Sequence, residues 1–198
     1  MKHYPLASAI LLLLCFSAHA QTAPDDGQAK DGVYFNLFFD FTFRYPKDWV
    51  FHDEAINERI RERAKKEAAN SGASSELKNT YLLFTVSHHP RGTPGLTLNP
   101  TIFAVAENIT PAPKNYNGKD YLLEIRPLQV KTGARPLLNE PVEFRVAGLQ
   151  FFRDDYSAEV KGVSIRKAFF VTISKGYALA FTFTGEDQKS VDEMAQAM

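Results

Sequence analysis

Phe39-Asp40-Phe41-Thr42-Phe43-Arg44-Tyr45-Pro46-Lys47-Asp48-Trp49-Val50-Phe51 is the stretch that decides the fold. Phe39, Phe41, Phe43 and Tyr45 alternate with Asp40, Thr42 and Arg44. Successive side chains of a strand point to opposite faces. A period of two therefore predicts a half-buried β-strand with its aromatic side in the core. Pro46-Lys47-Asp48 predicts a turn, and Trp49-Val50-Phe51 begins the next strand. With Tyr34, Phe35 and Phe38 upstream, nine aromatic residues fall between positions 34 and 51. Core packing is the first reading of such a stripe, and an exposed aromatic platform for a ligand is the second.

The same logic extends outward. Thr80 to His88 is apolar on both sides, which predicts a strand in a central position of the sheet, and Thr101 to Ala106 predicts another. Strands are expected at 142–146, 149–157, 163–174 and 177–184, with turns at Val160-Lys161-Gly162 and Lys175-Gly176. Three helices interrupt them. Asp53 to Asn70 is rich in Glu, Arg, Lys and Ala, with only a thin apolar stripe through Ile56, Ile60, Ala64 and Ala68. Asn117 is a helix cap with Asp120 three residues on. Tyr121, Leu122, Ile125 and Leu128 form one face of that helix, and Pro127 is expected to kink or end it. Thr184-Gly185-Glu186-Asp187 opens a last helix in capping-box style, with Val191, Met194, Ala195 and Met198 on its apolar face. Strands joined mostly as hairpins, with a few helices, define the α+β class: a central antiparallel sheet with helices packed on it.

Of the 198 residues, 44% are hydrophobic and 23% charged, with 23 basic and 23 acidic residues. That balance fits a compact folded domain and gives no footprint for nucleic acid, whose binders carry a basic excess. Lys2, the apolar run Leu6 to Phe16 and Ala18-His19-Ala20 read as a secretory signal peptide over residues 1–20. Cleavage there removes Cys15, the only cysteine, and with it disulfides, thiolate nucleophiles and cysteine-based metal sites. Residues 21–32 read as a flexible leader and 33–198 as a single domain, periplasmic or secreted, without stable membrane insertion of the mature chain.

No nucleotide-binding, serine-hydrolase, zinc-protease or calcium-loop motif occurs. No cofactor and no resident metal are expected. The histidines left after cleavage are His52, His88 and His89. Neighbouring strand residues face opposite ways, so His88 and His89 are first read as rim histidines. A metal site becomes the reading only where His52, His88 and an acid converge. Asp154-Asp155 are expected to face opposite ways and to pair across the hairpin with Arg166 and Lys167. The candidate docking surface is the charged helix, through Arg59, Arg63 and Lys66, together with His88, His89 and Arg91 of the following loop.

Two stretches carry a resemblance. Phe39 to Trp49 resembles the opening F-G-F-x-F-x-Y-P-x-x-W hairpin of PsbP-like and DcrB-like proteins, with Asp40 where the pattern has glycine. Lys175-Gly176-Tyr177-Ala178-Leu179-Ala180-Phe181-Thr182-Phe183-Thr184, with the helix after it, resembles that family's closing hairpin and helix. The resemblance implies an α/β/α sandwich around an antiparallel sheet. It also implies a group made mostly of non-enzymes: a photosystem subunit, a Ran-binding transport factor, envelope lipoproteins and effector chaperones. The expected function is therefore an exported, non-catalytic cell-envelope protein that binds or assists an unidentified envelope protein. A carrier or chaperone for a hydrophobic ligand is the alternative, and a metal-assisted hydrolase is third.

Overall fold

The computed structural model describes residues 24–71, 79–196 and 198. The expected signal segment 1–20, leader residues 21–23 and the loop over 72–75 lie outside the described residues. Two antiparallel sheets and three helices make an α+β fold. The smaller sheet joins β1 (Gln28–Lys30), β2 (Val33–Asn36) and β3 (Phe41–Arg44) in that order. The larger contains β4 (Val50–Phe51), β5 (Thr80–Ser87), β6 (Thr101–Asn108), β7 (Arg135–Pro136), β8 (Val142–Val146), β9 (Leu149–Val160), β10 (Val163–Ser174) and β11 (Tyr177–Gly185). Its order is β4-β5-β6-β11-β10-β9-β7, with β8 also pairing with β9. The helices are α1 (Glu54–Ser71), α2 (Gly118–Lys131) and α3 (Gln188–Ala195).

The leader ends earlier than expected. Residues 28–30 are a strand, because Asp31-Gly32 supplies two left-handed residues in a row (φ 52° and 80°) for a two-residue hairpin turn. The same geometry recurs at Ala147-Gly148, Lys161-Gly162 and Lys175-Gly176. It fixes the register of the long hairpins, which pair without a break from Val163↔Val160 to Val171↔Phe152 and from Ser174↔Tyr177 to Arg166↔Gly185.

The alternation of β10 and β11 sorts the core into two. Phe169, Val171, Ala178 and Ala180 face α2, where Tyr121, Leu122 and Tyr156 complete one cluster. Phe170, Leu179, Phe181 and Phe183 face the other way, into the larger cluster with Tyr34, Phe43 and Phe84. The centre of the aromatic stripe, Phe41 and Phe43, thus lies outside the main sheet, although Phe51 joins that sheet in β4. The centre belongs to a second sheet that lies over the first, Phe43 packing on Phe84 and Phe181 with ring centroids 5.0 and 5.9 Å apart. Where a sandwich with helices on both faces was expected, α2 covers one face, and the small sheet with α3 covers the other.

Three further details differ from the sequence reading. β5 lies one place from the end of the sheet, flanked by the two-residue β4. Its apolar character on both sides comes from a register shift between Leu82 and Phe84 that buries Leu83 and Phe84 in the same core. Pro127 stays inside α2, which runs on to Lys131 from its Asn117–Asp120 capping box. The cap of α3 is Asp187 with Ser190, three residues later than the Thr184 box.

Candidate functional site: an apolar groove beside an open strand edge

The residues singled out for docking lie on α1 and on the loop after β5. Arg59 Nε donates to Ala55 O of its own helix at 3.2 Å, and Lys66 is exposed. The side chain of Arg63 lies outside the described residues. His88 and His89 share a side after all, with ring centroids 4.2 Å apart, because the strand stops at Ser87 and both belong to the loop. His88 stacks on Trp49 at 5.5 Å, and Asn99 clamps His89, donating to its carbonyl and accepting from its N–H. Arg91 lies within electrostatic reach of His52. Among the described residues no group of three or more His, Cys, Asp or Glu converges as a metal site, so His52, His88 and an acid do not form the cluster the hydrolase reading requires.

His52 makes the contact that most looks like chemistry. Its Nε2 sits 2.8 Å from Ser87 Oγ, both side chains being buried. Ser87 donates its hydroxyl proton to His89 O at 2.7 Å, so the His52 Nε2 must carry a proton and donate to Ser87. In this arrangement the imidazole donates to Ser87 rather than accepting its proton. The pair is a clamp between the β4–α1 corner and the end of β5. Burial, reinforced by the Arg91 charge, holds the imidazole below its ordinary pKa of 6.5.

Asp154 and Asp155 do face opposite ways, but Arg166 and Lys167 are not their partners. The register sets Phe169 opposite Asp154 and Ala168 opposite Asp155, with the two basic residues displaced along the strand. Each acid instead holds a helix. Asp154 is fully buried and receives Arg126 of α2 through two bonds, Nη2 to Oδ1 at 2.7 Å and Nε to Oδ2 at 3.1 Å, with the Tyr156 hydroxyl donating at 2.5 Å. The carboxylate beside it raises the Tyr156 pKa further after burial has done so. On the other face Arg153 bridges Asp155, at 2.7 Å, and Asp192 of α3, at 2.5 Å.

A groove of about 520 Å³ opens on the aromatic face, a size typical of ligand sites. Its floor is Phe151, Leu179 and Phe181, with Phe41 along one side and Met198 at the C-terminus. β3 forms one wall, and the tip of the β8–β9 hairpin, through Val146 and the exposed Leu149, forms the other. Among the described residues the small sheet ends at β3, short of the hairpin, and the groove lies in that gap. Asn36 fixes the β2–β3 turn, accepting the Phe39 N–H at 2.9 Å and donating to Tyr34 and Asp25. Lys175 pins the turn to the β10–β11 corner by donating to Phe38 O at 2.5 Å. Asp40 has φ 54°, which explains why the resembling pattern carries glycine there. Two signals in the sequence point to this groove: Asp31-Gly32, which makes the small sheet, and Leu149, an apolar residue next to a turn.

No family model and no curated protein sequence matches the chain. Among solved structures it is similar to a protein of unknown function from Pseudomonas aeruginosa, at 12% identity over 60% of this chain and 74% of that one, with a TM-score of 0.39. A Bacteroides thetaiotaomicron protein matches at 14% identity over 79% and 43%, with a TM-score of 0.37. LpqN of Mycobacterium tuberculosis, involved in cell envelope biogenesis, matches at 12% identity over 60% and 74%, with a TM-score of 0.37. Likeness at this level assigns no function to the chain.

Proposed function

We propose that this chain is an exported, non-catalytic binding protein of the cell envelope, of the PsbP-like and DcrB-like kind, and that it takes an apolar ligand in the groove between β3 and the β8–β9 hairpin. The observation that carries this reading is the groove itself: a gap of about 520 Å³ over the buried Phe151, Leu179 and Phe181, rimmed by the exposed Leu149. The signal-type N-terminus supports export, and the resemblance of residues 39–49 and 175–184 supports the envelope setting. Among the described residues no helix is long and apolar enough to cross a membrane. The groove shifts the weight from a docking surface on α1 to an apolar-ligand site. That site lies between two sheets rather than between the sheet and a thinly packed helix.

The test uses N-phenyl-1-naphthylamine, a dye that fluoresces in apolar surroundings. Wild-type protein is expected to enhance its emission with saturable binding. Leu149→Glu, at a side chain 58% exposed, should abolish saturation while leaving the melting temperature in place. Equal dye binding by wild type and variant would overturn the groove as the site.

A further inference from the structure

We infer that the natural occupant of the groove is an extended apolar segment of another polypeptide, added as a fourth strand to the open edge of β3. The inference rests on the groove reading and names the class of ligand. It starts from the backbone. The two-residue turn at Asp31-Gly32 makes Lys30 and Val33 a hydrogen-bonded pair, so Val33 and Phe35 turn their peptide groups toward β1. Tyr34 therefore points its peptide groups toward β3, in register with Phe43. The Tyr45 N–H, donating to Gly32 O at 2.8 Å, confirms the same phase two residues on. Thr42 and Arg44 consequently direct their N–H and C=O groups away from β2, into the groove side of the strand. Among the described residues no strand pairs with that edge.

An edge of this kind is a template for another strand, and proteins that do not use such edges blunt them with proline, bulges or inward charges. β3 is short, with four residues and the exposed Arg44, but Phe41-Thr42-Phe43-Arg44 has neither proline nor bulge and pairs regularly with β2. An acyl chain would fill the apolar floor but would leave the peptide groups of the exposed Thr42 and Arg44 to water alone. An extended peptide satisfies both, main-chain bonds to β3 giving affinity and alternate side chains on the floor giving selectivity. The charges refine the choice. Asp40 and Arg44 are exposed at opposite ends of β3, and neither has an ion-pair partner among the described residues. A segment with apolar residues at alternate positions, a basic residue near Asp40 and an acidic residue near Arg44 complements the site across the strands.

The experiment selects binders from a displayed library of random heptapeptides on the intact exported protein. The strongest is then resynthesised in two forms, one unmodified and one N-methylated at alternate backbone nitrogens. The expected result is enrichment of alternating apolar sequences. The unmodified peptide should slow amide exchange at Thr42 and Arg44 by about tenfold or more while leaving Phe41 and Phe43 unchanged. The N-methylated peptide should not bind, and Thr42→Pro, which removes one outward N–H on an edge where proline is tolerated, should weaken the unmodified peptide. The methylated peptide keeps the test independent of whether that variant folds. Three results overturn the inference: no enriched peptide, binding that N-methylation leaves intact, or a concentration-dependent dimer that protects Thr42 and Arg44 without peptide. If the naphthylamine dye still binds the groove in those cases, the apolar-ligand reading survives and only the strand addition fails.

Discussion

On one face of the main sheet, Arg126, Asp154 and Tyr156 tie α2 down through charged bonds out of water. On the other, a mass of aromatic rings joins the small sheet to the large one and stops short at an open groove. The first face resists change because removing one charge strands its partner. The second has its own bridge from Arg153 to Asp155 and Asp192 at α3, but beside the groove it is held by apolar contacts and can accept one more layer. A binding site belongs on the second kind of face. Apolar packing is non-directional, so it tolerates a guest strand or chain where a paired charge network would not.

The comparison breaks first at Phe43. Its ring is 3% exposed and touches rings from both sheets, so Phe43→Ala should cost about 3–5 kcal/mol in chemical denaturation. A loss under about 1 kcal/mol would mean that the small sheet contributes little to holding the fold. On the opposite face Arg126→Met leaves the Asp154 carboxylate buried with only Tyr156 to serve it, and should cost about 3 kcal/mol. Changing both Arg126 and Asp154 to apolar residues should recover much of that loss. The pattern separates the two faces, because no second substitution of this kind rescues Phe43→Ala.

The smallest expected effect is a pH dependence at the His52 clamp. Burial lowers the folded-state pKa of His52 below its ordinary 6.5, so between those values the unfolded chain binds more protons than the folded one. Its contribution is full above about pH 6.5 and is lost as the pH falls through that window. The Tm should therefore drop more steeply from about pH 6.5 to about pH 5 in wild type than in His52→Gln. Parallel curves would show that His52 carries no linked proton.

The strands after residue 142 were legible in the sequence almost to the residue, because period-two alternation and Lys-Gly turns leave one register. The groove was not. Arg59, Lys66, His88, His89 and Arg91 stand out by charge and type, yet charge says nothing of whether neighbours converge. The partners of Asp154 and Asp155 show the same limit. Their opposite orientation follows from the pleat, whereas Arg126 and Arg153 become partners only when a helix comes to lie over the strand.

By itself, then, the sequence determined what depends on neighbours along the chain: the strands, the turns, the α+β class and the apolar side of each element. The aromatic alternation at 39–45 guaranteed a buried strand face but not which sheet would bury it. Tertiary structure alone decided that the stripe would sit in a separate sheet, that this sheet would end at β3, and that β8–β9 would stop on the far side of a gap. Those outcomes depend on the distances between elements far apart in the chain, and packing rather than local preference sets such distances.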